Sequence, residues 1–236
     1  MSIKRRIESL VRKAIHDFDL LEGVDHVGIA LSGGKDSLTL LHMLKALSGC
    51  GFPPFKISAF HVDGAFSCGP SITGPFLQKL CDELNVDLHI SKSDQKLEEL
   101  ECYSCSRIRR KLIFESAKAQ GVDVVAFGHH RDDSIQTLLL NALHKGEFAA
   151  NLPKVPMHHY GITIIRPLIY VSEKEILSMA QASGYARITC QCPVGQNSRR
   201  KKVDALLSHM EEIFPHARAH LSSLSLELGS DKALRP

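Results

Sequence analysis

No run in this chain is apolar for long enough to cross a bilayer as a helix: the longest, Val27 to Leu31 and Val122 to Phe127, fall far short of the ~20 residues such a span needs. The basic start at Lys4, Arg5 and Arg6 leads into no secretion-type apolar core, because Glu8, Arg12, Lys13 and Asp17 interrupt it. Internal repeats, low-complexity tracts and long linkers are missing as well. Net charge is only +3 across 236 residues, and aromatic residues make up 6% with no RNA-recognition-motif signature among them. These absences exclude a spanning helix, an exported disulfide scaffold and a disordered polyelectrolyte, and they point to a folded cytoplasmic protein.

What is present is ordinary globular composition, 44% apolar and 23% charged, in a length that suits one large domain with modest additions. Ile3, Ile7, Leu10, Val11, Ile15 and Phe18 recur at helical spacing, so residues 1–22 read as an amphipathic helix. Short β-rich runs at Val27 to Leu31, Ile57 to His61, Val86 to Ile90 and Val122 to Phe127 each precede a helical pattern. A fifth, Ile162 to Ile165, leads through Arg166-Pro167-Leu168 to a capping-box signal at Ser172 and Glu175. Strands alternating with helices predict a doubly wound α/β fold over residues 23–186: a mainly parallel sheet of about five strands with helices on both faces. A cysteine-bearing loop and two short helices follow over 187–229, and 230–236 reads as a loose tail.

The first strand runs directly into Ser32-Gly33-Gly34-Lys35-Asp36-Ser37 and then a helical pattern. Paired glycines between a strand and a helix let the backbone turn tightly and aim several N–H groups at one point, where the helix N-terminus adds positive potential. That is an anion site, with Lys35 adding charge and Ser32 and Ser37 adding hydroxyls. Neither the Walker A spacing nor G-x-G-x-x-G is satisfied, which points away from P-loop hydrolases and Rossmann dehydrogenases. A plain glycine turn with a helix cap accounts for the glycines and one serine but leaves the Lys-Asp pair unexplained.

Seven cysteines make an odd number, suited to metal, redox or core use in a reducing compartment. Cys102-Tyr103-Ser104-Cys105 puts two thiols on one turn, and Arg107, Arg109, Arg110 and Lys111 follow at once, favouring thiolates. By spacing alone this is either a redox pair or half of a metal site. Cys190 and Cys192 lie too far along the chain for a local zinc ribbon, while a site assembled from distant loops stays open. Cys81, among Leu77, Leu80 and Leu84, reads as core, as do Cys50 and Cys68. A second basic run, Arg199-Arg200-Lys201-Lys202, follows the second cysteine group. Charge runs are ordinarily solvated faces, but their place beside cysteine motifs favours contacts to a nucleic-acid backbone.

Gly128-His129-His130-Arg131-Asp132-Asp133 ends a central strand and opens a helix, where open α/β sheets place ligands. One of Asp132 and Asp133 suits a helix cap; together they suit magnesium carried on phosphate oxygens, or orientation of a base. His61 and Asp63 end another strand on the same edge, suiting adenine recognition by nearby backbone, with an ordinary loop carboxylate as the alternative for Asp63.

Ser32 to Ser37 resembles the S-G-G-x-D-S loop of the PP-loop pyrophosphatase superfamily, whose members resemble the adenine nucleotide alpha-hydrolases in fold and cleave ATP between the α and β phosphates. Together with Cys102 to Arg110, Gly128 to Asp133 with Thr137 and Asn141, Arg166 to Leu168, and Cys192 with Asn197 and Arg200, the chain resembles the tRNA 2-thiocytidine synthetase family. The resemblance implies ATP-dependent adenylation of a cytidine in the tRNA anticodon loop, at position 32, and sulfur insertion at C2. With the residue readings above, ATP with magnesium is expected at Ser32, Gly33, Gly34, Lys35, Asp36, Ser37, His61, Asp63, Gly128 and His129, with Lys35, Asp36, Asp132 and Asp133 catalytic. The resemblance implies a [4Fe–4S] cluster on Cys102, Cys105 and Cys192, and the basic runs beside those cysteines predict tRNA contacts from Arg107, Arg109, Arg110, Arg199, Arg200 and Lys201. A cysteine desulfurase as sulfur donor, a homodimer and no membrane partner complete the expectation. Alternatives are a tRNA 2-thiouridine synthetase, which usually carries further zinc-binding cysteines, a lysidine-type tRNA ligase, and a zinc-stabilised RNA-binding module without catalysis.

Overall fold

The β-rich runs form β1 (His26–Ala30), β2 (Lys56–Asp63), β3 (Asp87–Lys92), β4 (Val124–Ala126), β5 (Lys154–Met157) and β6 (Ile162–Ile165). The computed structural model describes residues 2–64, 70–94, 102–185 and 199–229. Among these, the strands make one six-stranded sheet in the order β3-β2-β1-β4-β6-β5. β1 pairs in parallel with β2 and β4, β2 with β3, and β4 with β6.

The sheet departs from the expected five strands at one edge, where β5 runs antiparallel to β6. Lys154-Val155-Pro156-Met157 is short, half exposed and contains a proline, which an edge strand tolerates because it needs no ladder N–H on its open side. The short 3-10 turn His158–Tyr160 and Gly161, at φ 58°, return the chain into β6.

The helices are α1 (Ile3–Asp17), α2 (Lys35–Leu47), α3 (Pro70–Glu83), α4 (Cys102–Ala119), α5 (Arg131–Lys145), α6 (Glu173–Ala182), α7 (Arg199–Ile213) and α8 (Ala217–Glu227). Among the described residues no helix is long and apolar enough to cross a membrane. α1 starts at the Ser2 cap and buries Ile7, Val11, Ala14 and Ile15, spaced one and two turns apart, against α2 and α6. Each large aliphatic side chain so buried contributes about 1.5–3 kcal/mol. α1, α2 and α6 share one core with β1, β2 and the Leu77 and Cys81 positions of α3. On the opposite face, Phe114 and Ala117 of α4 pack on Phe60, Val122, Val125 and Ile164. Among the described residues of the last segment, α7 and α8 pack on α5 through Ile135, Val203, Leu207 and Leu221.

From β1 the chain winds outward to β2 and β3, then returns across β1 to β4 and β6. The carboxyl ends of β1 and β4 therefore flank the point where the winding reverses, the place where open sheets leave a crevice.

Candidate functional site

At the end of β1, His61 of β2 donates from Nδ1 to the Leu31 carbonyl at 2.8 Å, and Leu31 N–H reaches Phe60 O at 2.9 Å. These bonds fix where the loop Ser32 to Ser37 leaves the sheet. Gly33 turns at φ 83°, which an L side chain resists, and Gly34 caps α2. The serines tie the loop to itself: Ser37 Oγ accepts from Ser32 N–H at 3.2 Å and donates to Gly34 O at 3.0 Å, and Ser32 Oγ accepts from Gly34 N–H at 3.3 Å.

The loop after β4 presses against that turn. A Cβ on Gly128 would lie 3.0 Å from Ser37 N and 3.1 Å from the Asp36 carbonyl carbon, so glycine is what lets the two backbones meet. His130 then caps α5 with its ring: Nδ1 accepts from Asp133 N–H at 3.4 Å, while Asp133 Oδ2 accepts from His130 N–H at 3.1 Å. This is a capping box built on an imidazole. Nε2 of the same buried ring lies 3.4 Å from Asp133 Oδ2 and 3.8 Å from Asp36 Oδ1, joining the two loops.

Between these loops and α4 opens a cleft of about 350 Å³. Its wall includes Ser32, Asp36 and Ser37 from the first loop, Gly128, His129 and Asp133 from the second, Ser106, Arg109 and Arg110 from α4, and Arg200 from α7. Arg200 Nη1 lies 3.0 Å from Asp133 Oδ1, and Arg109 donates to Val62 O at 3.4 Å. Burial alone would raise the Asp133 pKa, but His130, Arg200 and the His130 N–H outweigh it and hold the carboxyl below its ordinary value. His129 stacks on Phe127 and accepts at Nδ1 from Arg166 Nε at 3.3 Å. Burial, reinforced by Arg166, pushes its pKa down, so the ring is neutral with its hydrogen on Nε2. Arg166 itself, buried and near Arg110, is pushed down to about 10.

Other expected site residues lie outside this wall. Lys35 turns toward α6, with Nζ 2.9 Å from Asp36 Oδ1 and 3.1 Å from Glu173 Oε1. Burial lowers its pKa, but Asp36 and Glu173 overcome this and raise it above the ordinary value. Asp63 ends β2 and accepts from Gly64 N–H at 2.9 Å. Asp132 is buried, with Oδ1 on Arg218 and Oδ2 on the Glu173 N–H. The two neighbouring carboxylates are therefore separated, and neither is the helix N-cap, a position His130 holds because its ring reaches the N3 amide. Arg107 is exposed on α4, and Arg199 and Lys201 belong to the first turn of α7.

Cys102 and Cys105 occupy the first turn of α4, immediately before Ser106 in the cleft wall. Cys68, Cys190 and Cys192 lie outside the described residues, as do 187–198 and the tail 230–236. Cys81 is buried, and burial pushes its thiol up to about 11, as a core position requires; Cys50 is exposed. Among the described residues no three His, Cys, Asp or Glu groups converge as a metal site.

The sequence reasoning missed Arg218, and it named His130 and Arg166 within their motifs without giving either a definite role in the site. Arg166 left a signal, a basic residue closing an apolar strand before proline; Arg218 left none.

The family model described as the PP-loop domain matches residues 2–191. The tRNA-cytidine(32) 2-sulfurtransferase of Syntrophotalea carbinolica is 35% identical over 227 residues, covering 92% of this chain and 86% of that protein. Its namesake from Cupriavidus necator is 36% identical over 222 residues, covering 90% and 70%. Among solved structures, the U34-tRNA thiolase NcsA from Methanococcus maripaludis, with its [4Fe-4S] cluster, superposes with a TM-score of 0.74 over 95% of this chain and 78% of that one, at 22% identity, a likeness of fold. Phosphate loop, sheet order and relatives of this identity and coverage agree: the chain belongs to the PP-loop domain family and, within it, to the tRNA-cytidine(32) 2-sulfurtransferases.

Proposed function

We propose that this chain is an ATP-dependent tRNA sulfurtransferase that adenylates cytidine 32 and replaces its C2 oxygen with sulfur. The observation that carries the reading is the convergence, in one cleft at the switch point, of the glycine loop, Asp36 and Asp133, and three arginines from two separate helices.

ATP lies with its phosphates at Ser32 to Ser37, where backbone amides and the α2 N-terminus favour anionic oxygens. Asp36 and Asp133, both on the wall, would be the carboxylates available to magnesium arriving with those phosphates, since that ion keeps few protein ligands. Lys35 holds Asp36 from behind. The C2 oxygen of cytidine bonds to the α-phosphorus, the bond to the β-phosphate breaks, and pyrophosphate leaves. Sulfur at the hydrosulfide level then bonds to C2, a proton is released and AMP departs with the original oxygen; sulfur handed over as a persulfide requires two electrons from an external thiol reductant to reach that level. Arg109, Arg110 and Arg200 draw the RNA backbone and the developing phosphate charge into the cleft, with Arg107, Arg199 and Lys201 extending the basic surface.

Cys102 and Cys105 fit a thiolate-held group, standing three residues apart on one turn beside the cleft, with Cys192 as third donor. A [4Fe–4S] cluster, if held by Cys102, Cys105 and Cys192, would supply iron able to bind sulfur for the transfer. A cysteine desulfurase donor, a homodimer and a cytoplasmic setting belong to the same proposal.

The test is thiolation of unmodified tRNA by anaerobically purified protein, with iron, sulfide and zinc measured on the same sample. ATP-dependent thiocytidine formation that Asp36→Ala abolishes, with iron and sulfide bound, is the expected result. Stoichiometric zinc without iron would remove the cluster assignment, and an active Asp36→Ala would remove the adenylation step.

A further inference from the structure

We propose that Arg218 is a positioning residue: acting through the buried Asp132, it seats the α7–α8 hairpin so that Arg200 stays on the wall of the cleft. Asp132 is 6% exposed and serves two elements other than its own. Its Oδ2 accepts the Glu173 N–H, the first amide of α6, at 2.8 Å, and its Oδ1 accepts from Arg218 Nη1 of α8 at 2.7 Å. Arg218 also reaches back to α7, with Nε 3.1 and 3.2 Å from the two carboxylate oxygens of Glu211 and Nη2 3.1 Å from one of them. One guanidinium thus ties α8 to α7 and to the start of α5.

Nearer its N-terminus α7 is held by Gln136, which donates to Asp204 at 2.6 Å, and by Val203 and Leu207 against Ile135. Arg200 lies one turn before Asp204 and projects to Asp133. The neighbouring carboxylates therefore divide the labour: Asp133 meets Arg200 in the cleft, and Asp132 holds the hairpin that carries Arg200 there. A buried carboxylate that loses its cation keeps the cost of desolvation without the attraction, so removing Arg218 acts directly on this seat. A long side chain delivered from a separate segment is useful at a site only when its support is fixed.

The binding readout rests on the proposed tRNA reading, so the full chain is followed by two measurements. Arg218→Ala is expected to speed amide hydrogen exchange over 199–206 and at the start of α6. It is also expected to weaken tRNA binding roughly tenfold, the effect of losing one charge-assisted contact. Arg200→Ala should weaken binding similarly without speeding exchange, and the double variant should bind no worse than Arg200→Ala, because two changes acting through one contact are not additive. Unchanged exchange in Arg218→Ala, or additive binding losses, overturns the positioning role. Faster exchange with tRNA binding unaffected in both single variants upholds the seat and removes Arg200 from the tRNA reading. If Arg218→Ala does not fold, Arg218→Lys, which keeps one contact to Asp132 without the fork onto Glu211, carries the same comparison.

Discussion

A single methyl group is the smallest change that separates loop chemistry from loop packing, and Gly128 is where to add it. The atoms that a Cβ there would meet are the backbone of Asp36 and Ser37, which cannot swing aside as a flexible side chain would. Gly128→Ala is expected to cost about 1–3 kcal/mol of stability, as overpacking does, and to weaken ATP binding by displacing the phosphate loop. Urea denaturation checks the first and nucleotide titration the second; unchanged values in both would mean the loops part freely. Lys35→Ala is the contrasting case. Lys35 stands behind Asp36 and bridges to Glu173, so its loss should lower activity through Asp36 with less effect on ATP affinity than Asp36→Ala. Equal losses of ATP affinity would place the ammonium on the phosphates directly.

Among the elements, α5 has the least expected start. Asn is a good N-cap and Ala is not, so His130→Asn should retain most of the cap while His130→Ala loses about 1 kcal/mol, read as a shift in the denaturation midpoint. Equal midpoints would mean that the ring matters for something other than the cap. The α6 start was readable in advance, because Ser172 and Glu175 carry their partners three residues apart in the sequence: Ser172 Oγ accepts the Glu175 N–H at 3.3 Å and Glu175 accepts the Ser172 N–H at 2.9 Å. The α5 start follows the same logic with an imidazole in place of a hydroxyl, which no composition rule singles out. β5 escaped for a related reason. It has four residues, one of them proline, and is a strand only because β6 lies beside it.

For the molecule as a whole, acid is the revealing perturbation. Burial lowers the pKa of His26, His42, His61 and His129 below the ordinary 6.5, so the unfolded chain takes up protons that the native chain refuses. That penalty is absent above the ordinary imidazole range and grows as pH falls below it. Asp133 and Glu175 are held below their ordinary values of 3.8 and 4.5, so the stability they contribute is present above those values and is lost as pH falls through the native ones. Urea midpoints should therefore decline in two stages, beginning just below pH 6.5 and resuming below about pH 4. A midpoint flat from pH 7 to 5 would contradict the buried neutral imidazoles. Affinity for tRNA should also fall with salt, and removing Arg109 or Arg200 should each flatten that slope by roughly one released counterion.

The sequence by itself determined the winding: short apolar runs alternating with helical periods impose a parallel α/β sheet, and a glycine pair after the first run places the anion loop at its carboxyl edge. Those features depend on neighbours along the chain, which is why spacing alone reveals them. Tertiary structure alone decided which groups share the cleft. Asp132 and Asp133 are adjacent and alike in sequence, yet one meets Arg200 and the other Arg218, because consecutive residues in the first turn of α5 point in different directions. Lys35, read as a cation of the anion loop, pairs with Glu173 as well as with Asp36, and Glu173 is a partner far along the chain that no local pattern names. Contacts between distant segments leave no periodic trace, so the partners of these charges became legible only once the helices had packed.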